Sequence, residues 1–317
     1  MIDRREFLKM AACLSASFGI TQLPGVVQAA LKKIDPARVP RLIYLQGQSC
    51  TGCSISLLQA ESPNAVSMIT QYSKLSFHAD LSATSGKQAL DLIEAYISGR
   101  AGEYFLAVEG AVPWDMPEAC VIGNKPFADY LTAAAQTMSG ALAVGTCATH
   151  GGIPAAEGNL TGAVSLKEFY KRKNIDPLLI DIPGCSVHPD WVWKTIIHLV
   201  QIGLPELVNG RPKMFFSRKV HELCPRYHDF QQEIFARKLG DKGCLFKLGC
   251  LGPDTYADCP TRWWNGGQTW CIDANAPCIG CASPMFAAKK NFPFYTSFKQ
   301  TEVQISKESH KIIREKE

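Results

Sequence analysis

Between residue 41 and about residue 203, short apolar runs alternate with stretches in which apolar residues recur every three or four positions. Residues 42–45, 75–79, 104–108, 141–144 and 178–182 are nearly continuous apolar runs, the pattern of strands covered on both faces. Residues 54–60, 87–98, 126–138 and 189–202 carry helical periodicity. Strands and helices in alternation predict an α/β fold built on a doubly wound, parallel sheet. Ligands of such sheets sit beyond the carboxyl ends of the strands. Here those ends lead to Cys50 and Cys53 after the first strand, Glu109 after the third, Cys147 after the fourth and Cys185 after the fifth. Four thiols from three strand ends are thereby directed to one crevice.

After Gly210 the periodic pattern gives way to loops dense in Gly, Pro, Trp and Cys. Such a stretch makes a poor core by itself, but metal binding can supply the missing folding free energy. Its candidate ligands fall into two groups: His221, Cys224, Cys244 and Cys250, then Cys259, Cys271, Cys278 and Cys281. Four thiolates, or three with an imidazole, suit tetrahedral zinc as well as iron–sulfur clusters, so ligand type alone leaves both open. The bacterial ferredoxin run CxxCxxCxxxCP is absent. Three sets of four ligands in one chain favour an electron wire over a row of structural zincs.

Composition narrows the classes. A chain of 317 residues suggests about two domains. Its 46% hydrophobic and 20% charged residues exclude a disordered chain, a collagen-like rod and a coiled coil. A net charge of +4 gives no reason to expect nucleic acid or a membrane surface as partner.

Residues 1–29 read as an export signal. Asp3-Arg4-Arg5-Glu6-Phe7-Leu8-Lys9 precedes a weakly apolar run and a small-residue site at Val27-Gln28-Ala29, the order of a twin-arginine signal. That implies a periplasmic protein. No other stretch approaches the roughly 18 apolar residues a membrane helix requires, and residues 296–317 are polar, so no membrane anchor is expected in this chain. Of thirteen cysteines, twelve remain after the signal and its Cys13 are removed. Six disulfides would be the plain reading in an exported chain, yet a chain of this size does not need such staples. The twin-arginine route also suits proteins folded around cofactors, which favours metal ligation.

At these residues the chain resembles the small subunit of nickel–iron hydrogenases. The motifs are Gln48-Ser49-Cys50-Thr51-Gly52-Cys53, Val108-Glu109-Gly110-Ala111-Val112-Pro113, Gly145-Thr146-Cys147-Ala148 with Gly151-Gly152-Ile153-Pro154, Pro183-Gly184-Cys185, His221-Glu222-Leu223-Cys224-Pro225 and Pro277-Cys278-Ile279-Gly280-Cys281. They stand in the family's order and span about residues 41 to 294.

The resemblance implies a flavodoxin-like α/β domain over residues 40–207, a loop-rich cluster domain over 210–295 and a polar tail over 296–317. It implies a proximal 4Fe-4S cluster on Cys50, Cys53, Cys147 and Cys185, and a distal 4Fe-4S cluster on His221, Cys224, Cys244 and Cys250. The medial cluster falls to Cys259, Cys278 and Cys281. Many members carry proline where this chain has Cys271 and bind 3Fe-4S; the fourth thiolate here implies 4Fe-4S, as in the nickel–iron–selenium branch. Only Cys120 is left over, as a buried free thiol. Oxygen-tolerant members carry extra cysteines where this chain has Gly52 and Gly152, so an ordinary proximal cluster is implied.

The activity implied is reversible oxidation of dihydrogen. A nickel–iron centre in a separate large subunit would cleave it, so no catalytic residue is assigned in this chain. Glu109 is a candidate proton relay or a structural carboxylate. The wire would end on an external redox protein, such as a c-type cytochrome or a membrane cytochrome subunit. Two other readings stay open: an exported relative of the complex I chain that holds one cluster, and a protein stapled by disulfides or zinc.

Overall fold

The computed structural model describes residue 39 and residues 41–287. The expected signal, with Arg4 and Arg5, and the expected polar tail lie outside the described residues. Five strands form one sheet: β1 (Arg41–Gln46), β2 (Lys74–His78), β3 (Tyr104–Glu109), β4 (Gly140–Val144) and β5 (Leu179–Ile182). All pairs are parallel and the order is β2-β1-β3-β4-β5, the flavodoxin-like winding. The order reverses between β1 and β3, which opens a crevice at their carboxyl ends.

The alternation of side chains along each strand divides the core into two layers. Ile43 and Leu45 of β1 face one side, with Leu106, Val108, Ala141 and Ala143. That side is covered by α2 (Gly86–Gly99), α3 (Phe127–Ala134) and α5 (Leu166–Arg172), and α2 contributes Ala89, Ile93, Tyr96 and Ile97 at helical spacing. Leu42 and Tyr44 face the other side, with Leu142, Val144, Ile180 and Ile182. There the cover is α6 (Pro189–Gln201), whose Pro189 opens the helix and whose Trp191, Val192 and Ile196 are buried. His188 caps it by accepting from the Asp190 N–H at 3.1 Å.

Three helices are short. α1 (Gly52–Leu57) begins earlier than the periodicity predicts, and α4 (Gly145–His150) and α5 stand between β4 and β5, where the pattern predicts no helix. α4 is bounded by Gly145 and Gly151, both at positive φ, and α5 starts at a Ser165 side chain that accepts from the Glu168 N–H. Six or seven residues give less than two turns, too few to establish a period in sequence.

After residue 210 the chain is loop-rich, as predicted. Its described helices are one turn or little more, among them α7 (Val220–Leu223), α8 (Tyr227–Gln231) and α9 (Cys259–Arg262). This segment lies on the α6 side of the sheet, and Phe215, Phe216, Val220, Leu245, Trp270 and Ile272 join Leu42, Tyr44 and Trp191 in one continuous apolar cluster. Polar groups lock it there. Arg262 pairs with Asp258 and reaches Asp190 of α6 at 3.0 Å, while Asp258 accepts from the Trp191 indole N–H at 2.7 Å. No helix among the described residues is long and apolar enough to cross a membrane.

Candidate metal centres

The first set is built at the switch-point crevice. Cys50 follows β1, Cys53 lies in the first turn of α1, Cys147 lies in α4 directly after β4, and Cys185 follows β5. Their thiols are close enough to act on one another. Burial pushes Cys53 well above its ordinary value, with Glu109, Cys147 and Cys185 adding to the rise. Burial likewise raises Cys147 to about 11, with Cys50 contributing, and Cys185 to about 11, with Cys147 and Cys50 contributing. The loops leave space for large atoms at the sulfurs. A Cβ at Gly145 (φ +84°) would run into the Cys53 sulfur, and one at Gly152 (φ +53°) would lie 2.9 Å from the nitrogen, Cα and sulfur of Cys147. A cysteine at position 152 therefore requires this loop to move.

Glu109, 2% exposed, closes the floor of the crevice. Its Oε1 accepts from the Cys53 N–H at 3.1 Å, and its Oε2 accepts from the Ser54 N–H at 3.0 Å, the Ser54 hydroxyl at 2.6 Å and the Tyr44 hydroxyl at 2.9 Å. A buried carboxylate is tolerated because its acceptor sites are filled. Two of those donors are otherwise unpaired amides at the start of α1, so Glu109 ties the Cys53 turn to β3.

The other two sets lie in the C-terminal segment. His221 and Cys224 stand in and after α7. Burial raises Cys224, with Cys250 and Cys244 contributing, and raises Cys244, with Cys250 contributing. The Cys250 sulfur and the His221 backbone nitrogen both lie against Gly252. Burial lowers the His221 pKa, with Lys219 adding to the effect, which favours the neutral imidazole that metals bind. Its ring packs edge-on against Phe230 at 4.5 Å and Tyr227 at 5.0 Å.

In the last set, burial drives Cys259 well up, with Cys281 and Cys278 contributing, and raises Cys278 to about 12, with Cys281 contributing. It also raises Cys281 to about 11, with the nearby Cys185 backbone opposing the rise and Cys271 adding to it. Cys271 is an exposed residue whose thiol is nonetheless raised by its surroundings. Three charge interactions run between sets, Cys185 with Cys281, Cys250 with Cys278 and Cys250 with Cys271.

These donors fit iron–sulfur clusters. All twelve described cysteines are free thiols, so disulfide staples are not the framework. Buried thiols with raised pKa values stay protonated until a metal displaces the proton. Four thiols at the carboxyl ends of one parallel sheet, and thiols with one imidazole in the C-terminal segment, are donors that iron–sulfur clusters take.

Comparison with known proteins agrees with this chemistry. The family describing the C-terminal part of the NiFe/NiFeSe hydrogenase small subunit matches residues 216–295, and the NADH ubiquinone oxidoreductase 20 Kd subunit family matches residues 50–199. The periplasmic NiFeSe hydrogenase small subunit of Desulfomicrobium baculatum is 38% identical, over 93% of this chain and 99% of that protein. The chain belongs to the hydrogenase small-subunit family. The Escherichia coli K12 hydrogenase-2 small chain is 34% identical, over 88% of this chain and 76% of that one. A solved NiFeSe hydrogenase structure from D. baculatum superposes with a TM-score of 0.75 at 38% identity, covering 81% of this chain and 98% of that chain.

As a hydrogenase small subunit, the chain is the electron-transferring half of an oxidoreductase heterodimer and pairs with a large subunit. Several residues that shape its ligand loops carry no sequence signal of that role. Tyr44 and Ser54 complete the Glu109 network, and Arg226 holds the Gly243 carbonyl at 3.0 Å and the Ile272 carbonyl at 3.0 Å. Cys120, half-buried, lies against the α2 and α3 layer of the core.

Proposed function

We propose that this small subunit holds three 4Fe-4S clusters and passes electrons between a nickel–iron centre in the large subunit and an external redox protein. Cys50, Cys53, Cys147 and Cys185 hold the proximal cluster; Cys259, Cys271, Cys278 and Cys281 the medial; His221, Cys224, Cys244 and Cys250 the distal. When bound, such clusters supply reversible one-electron storage whose potential is tuned by charge, exposure and hydrogen bonds to sulfur. The observation that carries this reading is the convergence of Cys50, Cys53, Cys147 and Cys185 at the carboxyl ends of one parallel sheet, with the remaining donors in the segment that matches the small-subunit family over residues 216–295.

The chain's own residues do the holding and the shielding. Glu109 acts as a positioning carboxylate for the Cys53 turn, since its oxygens are filled by fixed donors. Exposed Ile55, Leu58, Ile153 and Met285 lie close in sequence to Cys53, Cys147 and Cys281 and are the apolar groups offered to the large subunit. At the far end, exposed Tyr227 packs against His221, Phe230 joins that ring to exposed Phe246, and Lys219 acts on the imidazole. The external redox protein, a c-type cytochrome or a membrane cytochrome subunit, docks there. Residues 1–29 serve as the twin-arginine signal and the assembled protein is periplasmic, as the D. baculatum relative is by name.

The test is metal and sulfide analysis of the purified heterodimer with electron paramagnetic resonance. About twelve small-subunit irons per chain are expected, from three cubane clusters. Iron for one cluster alone would instead favour the complex I-like reading, to which the match over residues 50–199 lends weight. Stoichiometric zinc would overturn both.

A further inference from the structure

Thr146 sits between two ligand sets and belongs to neither. It is 1% exposed, directly precedes Cys147, and makes three hydrogen bonds to two other parts of the chain. Its backbone N–H donates to the Gly184 carbonyl at 2.9 Å, and its hydroxyl oxygen accepts from the Gly184 N–H at 2.9 Å. With that acceptor role filled, the hydroxyl proton is directed to the carbonyl oxygen of Cys281. One side chain thus joins the end of β4, the end of β5 and the C-terminal segment.

The consequence lies one residue further along each strand of this staple. Gly184 precedes Cys185, Thr146 precedes Cys147, and the Thr146 hydroxyl reaches the Cys281 backbone itself. Cys185 and Cys281 also pack against the same apolar group, Ala156, Phe286 and Ala287. Cys147 of the proximal set and Cys281 of the medial set are therefore connected by covalent bonds and one hydrogen bond, through Thr146. Electronic coupling falls off more slowly along bonded atoms than across a gap. The coupling depends on the Thr146 hydroxyl being held against the Cys281 carbonyl.

We propose that Thr146 is a positioning residue for the electron step between the proximal and medial ligand sets, holding the Cys281 backbone against the turn that carries Cys147. This rests on the ligand sets proposed above. One electron crosses the bridge: the proximal side is oxidised and the medial side reduced, with dihydrogen as the source. No bond forms or breaks, and the hydroxyl proton stays on Thr146. Valine at 146 keeps the shape and removes the hydroxyl, leaving the Cys281 carbonyl and the Gly184 N–H buried and unpaired.

The experiment uses the assembled heterodimer carrying Thr146→Val or Thr146→Ser. Iron content and melting temperature are measured first. Reduction of each cluster is then followed by rapid freezing after mixing with dihydrogen, and the magnetic splitting between the two reduced clusters is recorded. The expected result for Thr146→Val is full iron, proximal reduction at the wild-type rate, medial reduction delayed severalfold and a weakened splitting; Thr146→Ser restores both. Medial reduction and splitting unchanged in Thr146→Val would overturn the proposal. If Thr146→Val does not assemble, Thr146→Ala against Thr146→Ser decides in the same way. Failure of both hydroxyl-free variants to load clusters, with serine competent, would make the hydroxyl an assembly determinant and overturn the kinetic role. Cys281→Ala tests the underlying assignment separately, since an intact medial signal in a variant with no donor atom at this position sinks the ligand reading whatever Thr146 does.

Discussion

In the α/β half, most ligand residues stand at the ends of elements whose own bonding is complete. β1 and β3 pair along six residues, and the core layer beneath α2, α3 and α5 contains none of the candidate ligands. Cys50 is exposed there, Cys147 and Cys185 are only partly buried, and of the four only Cys53 is buried in the apolar cluster. After residue 210 the arrangement differs. Cys244, Cys250 and Cys278 are buried, Cys250 and Cys278 belong to the apolar cluster itself, and the helices are one turn long or little more. On the proposed assignment, the sheet is a scaffold to which metal sites are added, whereas the C-terminal segment is a fold in which metal sites replace part of the core.

Removing the clusters breaks this comparison most directly. After chelation under reducing conditions, residues 213–287 should lose amide-exchange protection entirely while β1, β3 and β4 keep theirs, because metal binding free energy is folding free energy where no independent core exists. Equal loss in both halves would show that the sheet also depends on its cluster.

The next largest effect is expected at the lock between the halves. Arg262→Ala leaves Asp258 and Asp190 without their shared guanidinium, which should cost about 3 kcal/mol and loosen the segment before the sheet. Calorimetry with exchange mapping would register it, and an unchanged melting profile would mean that the apolar contacts alone hold the segment. A pH test isolates the sheet. Burial lowers His78, stacked on Tyr44 beside β1, to about 4. A depressed histidine contributes stability that is full above the unfolded value near 6.5 and is lost as pH falls toward 4. His78→Phe should therefore flatten the acid limb by up to about 3 kcal/mol. Asp181, raised to about 6 by burial, works in the opposite sense, so the difference between wild type and variant is the quantity to measure.

The smallest structural change is expected from Cys271→Pro. This residue is exposed, so the segment should stay folded. The protein should lose about one iron per chain, gain a 3Fe-4S signal when oxidised and show a higher medial potential. Unchanged iron content would remove Cys271 from the medial set.

Much of the fold was legible before any coordinates. All five strands lie where the apolar runs placed them, because strands covered on both faces must be apolar along their whole length. The convergence of Cys50, Cys147 and Cys185 followed from the same runs, since a parallel sheet sends every strand end the same way. The brief helices α4 and α5 were not legible, being too short for a period. Nor was the role of Thr146, Arg262 or Asp190: a threonine before a cysteine, or an arginine four residues after an aspartate, has no distinctive pattern.

The sequence by itself determined the strand set and the direction of their ends, and it singled out the groups of candidate ligands, because those follow from local periodicity and from where the cysteines stand along the chain. Only the tertiary structure decided which side chain meets which backbone. The hydrogen bond from the Thr146 hydroxyl to the Cys281 carbonyl spans 135 residues and depends on the C-terminal segment packing against the sheet. That contact arises from burial of apolar surface and the pairing of buried polar groups, which act through space and leave no trace in the spacing of residues along the chain.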